Sequence, residues 1–408
     1  MRRHRTPRIT GKSLTFTEKR KALLPGLNER KSQSQARQRG PGKNRFRLRR
    51  LSPLKGFGRK SFRLAGLLLS LLVLLFSSCK KENDNDLLYM LGLLQPLGDY
   101  WARLYYVDPL VIGDEENINF IREAQPSDTF PGSPKIILVS GWDTNDRSNV
   151  SYPSPNDLET RALVTNWNHL IKTNEFDQMV IAGYKIFIFD YLTSDHIETN
   201  GIRFRYWLDR TFGSTVAQEV VIYAHSMGGI VTRTAIYQGN RPAYLKAALV
   251  NGSPLHGSPW ASPEFQGSLS VLGKLAAFIT ATDGGSDLRW DNYDGSIFGA
   301  SNEFLTRLNS QSDRDDLIHL TYGEVDSGTS FESPGDASAI MVTACPILHG
   351  YGSGFPGDCI VPTRSAQLSG HTTGATPQDL GRFEHFQINW GTGTTRTLLK
   401  AKIDTLVP

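Results

Sequence analysis

The stretch Val220–Ile236, VVIYAHSMGGIVTRTAI, carries a β-rich segment through a serine and two glycines into a helical run. Val220 to Tyr223 has the continuous apolar character of a strand buried on both faces. The apolar residues resume at Ile230 and continue to Tyr237 as a helix. Between them Ser226 sits at a corner three residues past the strand end. The pattern small-x-Ser-x-Gly suits a strained strand-to-helix turn that lifts a nucleophilic hydroxyl above the carboxyl edge of a sheet. Ala224 and Gly228 are the small flanks, needed because the turn brings them against neighbouring backbone, and Gly229 eases the helix onto the sheet. The helix N-terminus adds positive potential beneath a developing oxyanion, at which the Met227 amide would point. The plainer alternative is a serine that only caps a helix. The strand before it and the apolar helix after it favour the nucleophile.

The surrounding chain has the rhythm this turn requires. Ile136–Val139 predicts a buried strand, Leu158–Lys172 a helix by the spacing of its apolar residues, and Tyr184–Tyr191 a second strand. A helix near Ile202–Thr211, strands at Glu219–Tyr223 and Ala247–Asn251, and a closing helix near Thr395–Ile403 continue the series. Two more strands are expected at Leu317–Tyr322 and Ala339–Thr343. Strands alternating with helices at this spacing predict a parallel, doubly wound α/β sheet, with sites at the carboxyl ends of its strands. The regularity breaks over 259–315, where one helical run, VLGKLAAFI at 271–279, stands among Gly- and Asp-rich loops. That insertion reads equally as a lid or cap over a site or as surface decoration.

The segment AHSMGG at 224–229 resembles the corresponding turn of bacterial lipases and esterases of the α/β-hydrolase superfamily, and the resemblance spans about residues 135–391. VSGW at 139–142 stands where these enzymes carry a His-Gly pair, so the resemblance implies that the Trp142 amide supplies the second oxyanion donor beside Met227. Ser140 replaces the histidine, which leaves a main-chain role intact. NGSPLHGSP at 251–259 is similar to the family's Thr-Pro-His-x-Gly-Ser segment and implies a structural role for His256.

A serine nucleophile needs a base, and the base needs an orienting carboxylate, in this fold in the order Ser, Asp or Glu, His. GDCIVPTRSA at 357–366 resembles the family's Asp-Gly-Ile-Val segment with Cys359 in place of glycine, which implies Asp358 as the acid. The family's histidine follows some twenty-odd residues later, before the last helix, a position that His385 in RFEHFQINW meets. His371 in SGHTTG is a rival base, and Asp326 with His349 a rival pair. His319 falls inside a strand and reads as a core or sheet-face residue. No acidic cluster beside His385 can be assigned to calcium, so no metal and no cofactor is expected.

Length and charge set the remaining bounds. A chain of 408 residues holds one large or two ordinary domains. Its net charge of +5 averages unlike parts: residues 1–64 carry 21 Lys or Arg and two acidic residues, leaving 24 basic and 38 acidic residues over 65–408. The basic part has no folded module behind it, which argues against a nucleic-acid partner. Residues 1–63 read as a basic, disordered leader. Leu64 to Ser78 is an uncharged apolar run of 15 residues after Arg59, Lys60 and Arg63, the form of a signal-peptide core. Its end, Phe76-Ser77-Ser78-Cys79, resembles a bacterial lipoprotein signal, which implies lipidation of Cys79 and a membrane-anchored, exported protein; an uncleaved anchor is the alternative. Residues 80–130 read as a tether and N-terminal extension, and 131–408 as the α/β-hydrolase domain. In an oxidising compartment Cys345 and Cys359 are most simply a disulfide, with zinc held by these two and His349 the lesser alternative. The expected activity is hydrolysis of carboxylic, lipid-type esters. Phospholipid acyl hydrolysis, acyl transfer, or a surface-displayed binding role on an inactive scaffold are its rivals.

Overall fold

The expected alternation closes into one eight-stranded sheet in the computed structural model, which describes residues 102–107, 121–142, 174–214, 217–263, 282–291, 293, 302–325, 331–332, 339–350 and 355–407. The strands are β1 (Ala102–Val107), β2 (Ile121–Glu123), β3 (Lys135–Val139), β4 (Lys185–Tyr191), β5 (Val220–His225), β6 (Leu245–Asn251), β7 (Ile318–Tyr322) and β8 (Gln378–Asp379). Their order across the sheet is β2-β1-β4-β3-β5-β6-β7-β8. Every pairing from β4 to β8 is parallel, while β1 runs antiparallel to both of its neighbours. The strand directions thus agree with the mostly parallel sheet read from the sequence.

The helices are α1 (Asn174–Ile181), α2 (Ile197–Phe212), α3 (Met227–Tyr237), α4 (Asp283–Ser286), α5 (Glu303–Asn309), α6 (Ala339–Gly350), α7 (Thr363–Ala366) and α8 (Gly393–Leu406). One face of the sheet packs on α2 and α3, through Phe204, Leu208, Phe212, Ile230, Val231 and Ala235. The other packs on α1 and α8, through Phe176, Met179, Leu399 and Ile403. β5 shows why its residues are apolar without alternation: Val220, Ile222 and Ala224 enter the first core, and Val221 and Tyr223 the second. Each buried valine and isoleucine here contributes about 1.5–3 kcal/mol by leaving water.

One sequence expectation is corrected. The strand expected at Ala339–Thr343 is part of the helix α6. Short apolar runs do not distinguish a buried strand from a buried helix, and here Met341, Ala344, Cys345 and Leu348 bury one helical stripe. They join Trp260, Trp290, Val325 and Phe355 in a satellite core beside the sheet. The stretch 80–130, expected as tether and extension, contributes β1 and β2 to the sheet edge, and Trp207 Nε1 of α2 donates to Ala102 O at 2.8 Å.

The described parts of the 259–315 stretch pack into the body: Trp260, Leu288, Trp290 and Leu305 are buried. Residues 264–281 lie outside the described ones, with the run at 271–279, as do the expected helix over 158–172, the leader, the 64–79 segment and Cys79. Among the described residues no helix is long and apolar enough to cross a membrane.

Candidate active site

The corner between β5 and α3 holds Ser226 at φ 55° and ψ −131°. A side chain disfavours that backbone region, at a cost of about 1–3 kcal/mol, and such strain persists only where the surroundings over-determine it. Here they do. Ser226 N donates to Asn251 O at 3.0 Å, Gly229 N donates to Ser226 O at 3.0 Å, and Ser253 Oγ donates to the same carbonyl at 2.5 Å. The glycines answer to close backbone: a Cβ on Gly228 would lie 2.7 Å from Val139 O, and one on Gly229 would collide with Ser253 Oγ.

Ser226 Oγ lies 2.8 Å from His385 Nε2, and His385 Nδ1 lies 2.7 Å from Asp358 Oδ2. Nδ1 faces a carboxylate that can only accept, so it carries the proton. That leaves Nε2 of the neutral ring as the acceptor for the serine hydroxyl. Asp358 is fully buried, and its other oxygen accepts from Ile360 N at 3.1 Å and Val361 N at 2.7 Å. His385 is also buried. Burial disfavours its charged form, but the charge of Asp358, its hydrogen bond and the charge of Glu384 outweigh that and raise the imidazole pKa above 6.5.

The loop carrying Asp358 is held from several sides. Cys359 is disulfide-bonded to Cys345 of α6, as the cysteine count implied. Trp260 Nε1 donates to Cys359 O at 2.9 Å, and Ser258 Oγ donates to Ile360 O at 2.6 Å. Cys359 sits at φ 77°, a left-handed conformation that accounts for the glycine in the resembling segment.

The β3 end closes the other side. A Cβ on Gly141 would come within 2.6 Å of Ser226 Cβ and 3.1 Å of its Oγ, so the backbone leading into Trp142 abuts the serine. Trp142 is half-buried against the first core, and Met227 is the first, buried residue of α3.

The remaining histidines have other partners. His256 Nδ1 pairs with Asp291 at 2.7 Å, its Nε2 with Ser369 O at 3.0 Å, and its ring stacks on Tyr293. His371, the rival base, bonds Asp315 at 2.9 Å, and Asp315 is also paired with Arg233. His319 is half-buried on β7. Asp326 and the side chain of His349 lie outside the described residues, as therefore does the zinc alternative. Among the described residues no three His, Cys, Asp or Glu side chains are grouped to hold a metal.

Two residues escaped the sequence reading. Asn251 accepts from Ser226 N through its carbonyl and donates from Nδ2 to Ile388 O at 2.8 Å. His225 occupies the unspecified position before the serine and donates from Nε2 to His385 O at 3.0 Å. No linear signal marks their ties to the His385 loop, because Ile388 and His385 are over 130 residues away from Asn251 and His225.

A mostly parallel, doubly wound sheet with a strained strand-to-helix serine turn defines the α/β-hydrolase fold. No protein-family model matches the chain, and no curated protein matches its sequence. Among solved structures it is similar to the mature form of lipase BlEst2 from Bacillus licheniformis, at 18% identity over 68% of this chain and 94% of that one, with a TM-score of 0.43. It is also similar to EstA from Clostridium botulinum, at 11% identity over 67% of this chain and 87% of that one, TM-score 0.42. Lipase 1 from Pelosinus fermentans matches at 13% identity over 67% and 98%, TM-score 0.38. These neighbours are bacterial lipases and esterases of the α/β-hydrolase type, at low sequence identity.

Proposed function

We propose that this protein is a serine hydrolase of carboxylic esters, with lipid esters as its substrate class and Ser226, His385 and Asp358 as nucleophile, base and acid. One observation carries the reading: the unbroken hydrogen-bonded line from Ser226 Oγ through both nitrogens of His385 to Asp358. His385 Nε2 takes the hydroxyl proton as Oγ attacks the ester carbonyl, and Asp358 balances the imidazolium. The tetrahedral oxyanion is met by the amides of Met227 and Trp142, each worth about 3–4 kcal/mol by analogy with other oxyanion holes. His385 then returns the proton to the leaving alkoxide, and the acyl group stays on Oγ. Water, deprotonated by the same ring, releases the acid and restores the hydroxyl.

The likeness of AHSMGG, VSGW and NGSPLHGSP to segments of bacterial lipases supports the lipid class. The apolar run before Cys79 supports export and a membrane anchor through that lipidated cysteine, which would keep the site near lipid.

The test is hydrolysis of p-nitrophenyl esters from acetate to palmitate by the full chain and its Ser226→Ala variant. Turnover that disappears in the variant is expected, and the chain-length profile separates esterase from lipase. A folded wild-type protein that turns over none of these esters sinks the reading.

A further inference from the structure

Three hydrogen bonds tie the main chain around His385 to the rest of the site. His385 N donates to Asp358 O at 2.9 Å, Asn251 Nδ2 donates to Ile388 O at 2.8 Å, and His225 Nε2 donates to His385 O at 3.0 Å. The last differs in kind. It joins the side chain of the residue preceding Ser226 directly to the main chain of His385 itself.

His225 is well placed for this. It is the last residue of β5, is only 5% exposed, and its ring centroid lies 4.6 Å from that of His385. Its backbone is committed by the strand pairing and by the strained turn that follows. A carbonyl only accepts, so Nε2 of His225 carries the proton in this bond. The loop that bears His385 has no regular structure of its own: it lies between the two-residue β8 and α8. Its placement therefore depends on such side-chain tethers.

We propose that His225 is a positioning residue of the site: its Nε2–H holds the His385 carbonyl and thereby sets the distance over which the serine proton is transferred. This rests on the hydrolase reading above. A base displaced by about 1 Å can cost about 10²-fold in rate, whereas substrate binding is left alone.

The test uses the full chain, its His225→Phe and His225→Gln variants, and two readouts: kcat and KM on p-nitrophenyl butyrate, and the rate of Ser226 labelling by a fluorophosphonate. His225→Phe keeps a ring against His385 and removes the donor. His225→Gln loses the ring and keeps an N–H the same number of bonds from Cα. The expected result is kcat lowered about 10- to 100-fold in His225→Phe with KM little changed, labelling slowed in parallel, and most of both recovered in His225→Gln. A packing role predicts the opposite ranking. Equal losses in the two variants, folded or not, or His225→Phe at the wild-type rate, overturn the positioning role while leaving the hydrolase reading in place. A wild-type protein that neither turns over ester nor takes the label overturns both.

Discussion

At the scale of single residues, the site is a set of strained or crowded positions that make sense only together. Ser226 at φ 55° and Cys359 at φ 77° stand on either side of His385, the proposed base, whose ring is hydrogen-bonded from both sides. The charge state of that base makes a pH prediction. His385 must be neutral to accept a proton, and its pKa is raised above 6.5. Activity should therefore fall as the pH drops through a value above 6.5, read as the acid limb of kcat/KM. Asp358→Asn removes the raising charge and leaves the burial, so the limb should move to lower pH while kcat falls by about 10⁴-fold. An unmoved limb would show that another group titrates. Gly141→Ala puts a methyl 2.6 Å from Ser226 Cβ, so it should slow fluorophosphonate labelling of the serine more than it lowers the melting temperature.

At the scale of elements, β5 and α3 form the rigid hinge of the site, and α6 steadies the loop beside it. α6 reaches that loop through the Cys345–Cys359 disulfide, which closes a sequence separation of 14. A loop of that length corresponds to about 3 kcal/mol of stabilisation in the chain-entropy account. Reduction should therefore lower the melting temperature, and the proposed ester hydrolysis with it, because Asp358 immediately precedes Cys359 in the chain. Unchanged melting and activity after verified thiol release would assign the bond no role in holding the acid.

At the scale of the whole molecule, α3 is fastened at its far end by a fully buried ion pair. Arg233 Nε lies 3.1 Å from Asp315 Oδ1, and Tyr237 and His371 also bond this carboxylate. Burial alone would raise the Asp315 pKa, but His371 and Arg233 win and hold it below 3.8. A depressed carboxyl contributes stability that is complete above its unfolded pKa and is lost as the pH falls through the folded one. Asp315→Ala leaves Arg233 buried without its counter-charge and should cost about 3–5 kcal/mol near neutral pH. Urea midpoints should converge on wild type as the pH drops below 3.8. The proposed membrane anchor is tested on the full chain: expressed in a bacterial host, it should take up a palmitate label that Cys79→Ser abolishes, and no label on the wild type would overturn the anchor.

The strand, the serine turn and the helix of 220–237 were legible because their signals are local: apolar periodicity, small residues where backbones touch, and a helix start. The same holds for five of the eight strands, each recovered within two residues. Local pattern failed where two structures share one composition. The apolar run at 339–350 became a helix because the satellite core offered it a stripe rather than a sheet edge, and β1 and β2 became strands by pairing at that edge. Resemblance nominated Asp358 and His385, but their distances, and the ties from His225 and Asn251, belong to the tertiary structure alone. His385 is 159 residues from Ser226 and sits on a loop without periodicity. Nothing in a linear spacing encodes which donor will meet such a loop, because that is decided only when the sheet brings the carboxyl ends of its strands together.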